Sequence, residues 1–204
     1  MRIGIDFDNT IVCYDEVFCD VAKRWKLVDQ NYQGNKHQLR DAIWASSEGD
    51  LAWQRLQGKV YGEFMPNAKL FTGCKDFLIF CHAHPEIQVY IVSHKSEYGH
   101  YDEKRINLRD AARQWLSDNG LLKLIPAENI FFETTREEKI ARIHALHCTH
   151  FIDDLIEVLG SPLFPPTVQR FLFQPQVSNE RYDGIKQYSN WIEIKNEFFP
   201  HHTT

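Results

Sequence analysis

Residues 1–18 read MRIGIDFDNTIVCYDEVF: a short apolar strand that runs straight into two carboxylates, Asp6 and Asp8, one residue apart. Two like charges this close to a strand with a buried pattern repel each other unless a cation lies among them. An isolated Asp-x-Asp at a strand end is ordinarily a turn or a helix cap, because Asp suits both. The pair gains meaning only from what the rest of the chain brings beside it.

Beyond the first strand (residues 2–6), apolar runs alternate with helical patterns. Strand candidates are Ile87–Ser93 (IQVYIVS), Asn129–Glu133 (NIFFE), Thr149–Asp153 (THFID) and Arg170–Gln174 (RFLFQ), the last read as the final strand. Helical spacing marks 74–81, 102–119 with Gly120 as its stop, 135–146, 154–160 and 190–199. This alternation predicts an α/β fold, a Rossmann-like parallel sheet with helices on both faces.

Far more chain separates Asp6 from Ser93 than a crossover helix needs. The surplus holds three helical patterns, around Val17, Val21 and Trp25, around Leu39, Ile43 and Trp44, and around Leu51, Trp53, Leu56 and Val60. The expected organisation is therefore a core of residues 1–13 and 67–204, interrupted by a small helical module over 14–66.

Ligands of an open parallel sheet bind outside the carboxyl ends of its strands. Those ends deliver Asp6 and Asp8, then Ser93, His94 and Lys95, then Asp153 and Asp154, with Lys139 in the helix before THFID. Four carboxylates in one place call for a hard cation held by oxygens, most simply Mg²⁺, with Asp6, Asp8, Asp153 and Asp154 as ligands. An ion and a lysine beside a serine hydroxyl form a receptacle for a phosphoryl group. Asp6 is then placed to attack phosphorus, and Asp8 to move the proton.

These residues carry a resemblance to the haloacid dehalogenase superfamily of hydrolases. DFDNT, then IVS, then a helical lysine, then FIDD occur in the order of that family's motifs and span the core from end to end. The resemblance implies Asp6 as nucleophile, Asp8 as acid/base, Thr10 as a residue that positions the loop, and Ser93 as a phosphate ligand. It implies Lys139 as the third-motif lysine and Asp153 with Asp154 as the acidic pair of a Mg²⁺ site, with Glu157 a further acid that some members would use. It also implies that the helical module is a cap over the site. Asn9 departs from the pattern, since many members have Gly there.

Composition narrows the function classes. A net charge of −5, with no basic block among aromatics, gives no reason to expect nucleic acid as a partner. No apolar run approaches the length of a membrane span, and Asp6 and Asp8 break the pattern of a secretion signal. Cys13, Cys19, Cys74, Cys81 and Cys148 form no CxxC pair, which favours reduced thiols in a cytoplasmic protein. His144, His147, Cys148 and His150 match no strong zinc pattern, and the pairs His82/His84 and His201/His202 read as ordinary surface or core histidines. Trp25, Trp44 and Trp53 read as core of the helical module. His94, Lys95, Lys36 and Arg40 are candidates for contacts to an anionic or polar substrate, or solvated charges.

The expected function is a Mg²⁺-dependent phosphatase acting on a small phosphorylated metabolite through an aspartyl-phosphate. A phosphotransferase or nucleotidase of the same superfamily is the nearest alternative, and a non-catalytic binding protein that kept the fold is the rival from another class. A 2-haloacid dehalogenase is disfavoured, because its chemistry needs neither Asp8 nor the Asp153–Asp154 pair.

Overall fold

The computed structural model describes residues 1–176 and 178–200, so the His201/His202 pair lies outside the described residues. Six strands form one parallel sheet: β1 (Arg2–Ile5), β4 (Gln88–His94), β5 (Ile130–Glu133), β6 (His150–Asp153), β7 (Gln169–Phe173) and β8 (Ile185–Tyr188). Their spatial order is β5-β4-β1-β6-β7-β8, with every neighbouring pair parallel. β1 is therefore central, and chain order runs outward from it in both directions. Such a switch point leaves a crevice outside the carboxyl ends of the strands. A second, two-stranded sheet pairs β2 (Val12–Cys13) with β3 (Lys69–Leu70).

The chain divides into two compact units. The first comprises Met1–Val12, Leu70–Lys95 and Gly120–Thr204 and holds the six-stranded sheet. Alternation along β7 shows how both of its faces are covered. Leu172 joins Tyr90, Val92 and Phe151 in a buried cluster with Ile140 and Ile143 of α6 (Arg136–Ala145) and Val158 and Leu159 of α7 (Ile156–Leu159). Phe171 and Phe173 point the other way. Their rings lie 4.8 Å from Phe198 and 5.7 Å from Trp191, both on α8 (Trp191–Phe198). Trp191 also meets Phe77 of α4 (Cys74–His82) at 5.2 Å. The result is the expected parallel, Rossmann-like core with helices on both faces.

Gly4 shows why β1 tolerates a glycine at its centre. A Cβ there would lie 2.5 Å from the Phe151 ring and 3.1 Å from the Cys148 sulfur. The missing side chain makes the room in which Phe151 packs.

The second unit comprises Cys13–Lys69 together with Ser96–Asn119. Its helices are α1 (Asp15–Arg24), α2 (Lys36–Trp44), α3 (Gly49–Tyr61) and α5 (Leu108–Asp118). The sequence pattern predicts this module over 14–66 alone, with residues 96–119 in the core. Side-chain chemistry explains why the second segment joins the helices. The indole of Trp115 donates to Ala68 O at 2.9 Å. Asp102, buried, pairs with Lys59 at 2.7 Å. Residues 102–107 are consequently not helical: α5 begins at Leu108, where the Asn107 side chain accepts from the amides of Arg109 and Asp110.

Other differences from the sequence reading are local. α2 begins at Lys36, ahead of the pattern around Leu39, Ile43 and Trp44, because Asn35 and Gln38 form a reciprocal capping box. β8 follows β7, which the sequence predicts to be the final strand. Of the tryptophans assigned to the module core, only Trp53 is buried, whereas Trp25 is 39% exposed and Trp44 48%. All five cysteines are free thiols, four of them buried. Among the described residues, no helix is long and apolar enough to cross a membrane.

Candidate active site

Three strands of the core end in the residues the motifs singled out. β1 runs into Asp6, β4 carries Ser93 near its end, and β6 ends on Asp153. All three side chains are buried, as is Lys139, which α6 delivers from the helix preceding β6. The Lys139 Nζ lies 2.6 Å from Asp6 Oδ1 and 2.6 Å from Asp153 Oδ2. The other Asp153 oxygen accepts the Leu155 amide at 3.0 Å, so this carboxylate is fixed from both sides.

Asp6, Asp153 and Asp154 each offer a carboxylate oxygen within 4.8 Å of the others. One ammonium among three carboxylates leaves an excess of negative charge in a poorly solvated place, and the donors are all hard oxygens. That set fits a divalent ion such as Mg²⁺. The buried Thr10 hydroxyl is the one buried side-chain polar atom among the described residues without a hydrogen-bond partner, as expected beside a ligand site.

The electrostatics follow from burial. Loss of water pushes the Asp6 carboxyl up to about 7, aided by repulsion from Asp153 and Asp8 and opposed by the Lys139 ammonium. Burial alone would lower the Lys139 ammonium, but attraction to Asp153 and Asp6 outweighs it and holds the lysine charged well above its ordinary range.

Asp8 stands apart from the carboxylate group. Its two oxygens lie 2.9 and 2.8 Å from the Nζ of Lys95, which is buried and sits 5.3 Å above the Phe7 ring. Asp8, expected from the sequence among the metal ligands, lies outside the Asp6, Asp153 and Asp154 group, and its carboxylate accepts both contacts from Lys95. Ser93, near the end of β4, and Lys95, just beyond it, are buried, while His94, expected with them, is exposed. Glu157 is exposed and outside the carboxylate group. Asn9 has φ 60°, a left-handed conformation that asparagine adopts more readily than most residues with a side chain.

The pairing of Lys95 with Asp8 is the feature sequence reasoning missed, because a contact between residues 87 positions apart leaves no local signal. Among the described residues the Asp6 group is the sole set of histidine, cysteine and carboxylate ligands close enough to hold an ion, so His144, His147, Cys148 and His150 form none. In the helical unit, Lys36 donates to the Tyr61 hydroxyl at 2.7 Å, and Arg40 pairs with Asp41 at 3.0 Å over the Trp44 ring.

No family model and no curated protein matches the sequence. Solved structures do match the fold. A haloacid dehalogenase-like hydrolase from Streptococcus pneumoniae aligns over 97% of both chains at 13% identity, with a TM-score of 0.63. The protein tyrosine kinase A of Mycobacterium tuberculosis aligns over 97% of both chains at 12% identity and a TM-score of 0.61. A magnesium-bound HAD hydrolase from Bacillus subtilis aligns over 98% of both chains at 13% identity and 0.53. The chain has the haloacid dehalogenase-like fold: a parallel Rossmann-like core sheet with flanking helices and a small helical cap unit. A hydrolase and a kinase on one fold make clear that the reaction must be argued from the site.

Proposed function

We propose that the protein is a Mg²⁺-dependent phosphatase of small phosphorylated metabolites. The observation that carries this reading is the buried lysine Lys139, whose ammonium bridges Asp6 and Asp153 in a carboxylate group at the strand ends. Asp6, Asp153 and Asp154 would hold Mg²⁺, which would neutralise charge on the phosphoryl oxygens. That a fold neighbour was determined with magnesium agrees with this ion.

The chain's own residues divide the remaining work. Lys139 keeps Asp6 oriented and favours its ionised form, so that an Asp6 oxygen forms a bond to phosphorus as the bond to the leaving oxygen breaks. Once released from Lys95, the Asp8 carboxylate takes up a proton from solvent and gives it to that leaving oxygen; it then takes one from the water that attacks the aspartyl-phosphate and returns it to solvent. Phosphate leaves and Asp6 is regenerated. The hydroxyls of Ser93 and Thr10 and the ammonium of Lys95 hold phosphate oxygens. An incoming dianion competes with Asp8 for Lys95, which releases the Asp8 carboxylate when it is needed.

Purified protein with Mg²⁺ should hydrolyse p-nitrophenyl phosphate, and EDTA should abolish the activity. Asp6→Asn should be nearly inactive; full activity in that variant would overturn the mechanism. Transfer of the phosphoryl group to an acceptor other than water, seen as product phosphate ester in place of inorganic phosphate, would favour a phosphotransferase.

A further inference from the structure

The helical unit contains a groove of about 750 Å³, within the roughly 300–1,000 Å³ range of small-molecule sites. Its walls come from Trp25 just after α1, from α3 and from the segment 96–107. Trp25, Tyr98 and Tyr101 line it, and all three rings are more than a third exposed. Isolated exposed aromatics are unremarkable, but three around one concavity offer stacking faces at little cost in side-chain entropy.

Charge in the groove is unevenly satisfied. Lys59 is committed to Asp102 at 2.7 Å and to Glu63 at 3.5 Å. The guanidinium groups of Arg55 and Arg105 have no carboxylate partner among the described residues. Each instead lies over a tyrosine of the groove, Arg55 at 5.7 Å from Tyr101 and Arg105 at 4.9 Å from Tyr98. A guanidinium stacked on a ring keeps its N–H edge available for an oxyanion. Glu103 lines the same groove and offers acceptors for hydroxyl groups.

The groove is also built rather than incidental. Tyr101 and Arg105 have φ of 58° and 47°, left-handed values that side-chain-bearing residues hold only under constraint. The constraint is visible. Asp102 accepts from Lys59 and from the Ile106 amide at 3.0 Å, and Gly99 approaches α3 so closely that a Cβ on it would lie 2.6 Å from the Gly58 Cα.

From this chemistry we infer that the groove binds a nucleotide, with phosphate on Arg55 and Arg105, the base stacked on the exposed rings, and sugar hydroxyls on Glu103. Binding here needs no chemistry at Asp6, so the ligand is held whether or not it is turned over.

The test is calorimetric titration of the full chain in EDTA with AMP, adenosine and inorganic phosphate, alongside tryptophan fluorescence, since Trp25 lines the groove. AMP should bind one-to-one and at least tenfold more tightly than either fragment. Arg55→Gln with Arg105→Gln should weaken AMP at least tenfold, and because both residues are exposed the fold should persist. Tyr98→Leu should weaken it independently. Asp6→Asn should leave AMP affinity unchanged. The inference is overturned if AMP binds no better than its fragments, if the double variant binds like the parent, or if Asp6→Asn removes binding.

Discussion

Lys95 holds both carboxylate oxygens of Asp8, at 2.9 and 2.8 Å, although the two residues are 87 positions apart in sequence. The contact joins the end of β1 to the end of β4. On the phosphatase reading, Lys95 both parks Asp8 and receives phosphate. Lys95→Met keeps the volume of the stem over Phe7 while removing the charge. It should lower kcat/KM by about 10- to 100-fold, or roughly 1.4–2.8 kcal/mol. Stability should change little, because Asp8 retains access to water. A progress-curve assay beside a denaturant melt checks this; unchanged kcat/KM would remove Lys95 from the site.

Lys139 carries a heavier structural burden. Its ammonium is the shared partner of two buried carboxylates, and replacing it by Met leaves Asp6 and Asp153 facing each other without it. Removing one side of a buried ion pair costs about 3–5 kcal/mol. Lys139→Met should lose about that much stability in EDTA and regain part of it with Mg²⁺, since a cation binding only the native state stabilises it. Equal denaturation midpoints with and without Mg²⁺ would show that the carboxylate group does not hold the ion.

The sequence yields the sheet more readily than the helical unit, for physical reasons. β1, β4 and β6 are buried on both faces and read as continuous apolar runs, and their ends carry Asp6, Ser93 and Asp153. β8 is an edge strand, IKQY, in which no residue is fully buried, so it lacks that signature. The segment 102–107 has helical-looking spacing, but Asp102 obtains a better partner in Lys59 than a helix offers it. Pairings across long separations, such as Lys95 with Asp8, leave no periodic trace. Only the fold brings them together.

Gly58 sets two effects against each other. In mid-helix, Gly→Ala normally gains up to ~1 kcal/mol of helix propensity. At Gly58, however, an added Cβ would lie 2.8 Å from His100 O, a backbone atom that cannot rotate away. Overpacking of this kind costs about 1–3 kcal/mol. Gly58→Ala should therefore destabilise the helical unit. A raised melting temperature would mean that the segment 96–107 can move off α3 freely.

Asp102 gives the pH prediction. Burial works against its ionisation, but the hydrogen bond and charge of Lys59, with the amides of Ile106 and Lys104, hold its carboxyl below the ordinary value of 3.8. A depressed carboxylate contributes stability that is complete above the unfolded-state value and is lost as pH falls through the folded-state value. The loss therefore belongs below pH 3.8 and not near neutrality. Asp102→Asn should cost about 1–3 kcal/mol at pH 7, the range for removing a charged hydrogen-bond partner from a largely buried site. The difference in melting temperature between parent and variant should stay constant from pH 7 to about pH 5, then narrow below pH 4 as the parent's Asp102 protonates. Melts at four or five pH values measure it directly, and a gap that closes already between pH 7 and pH 5 would show that the Lys59–Asp102 pair does not carry this stability.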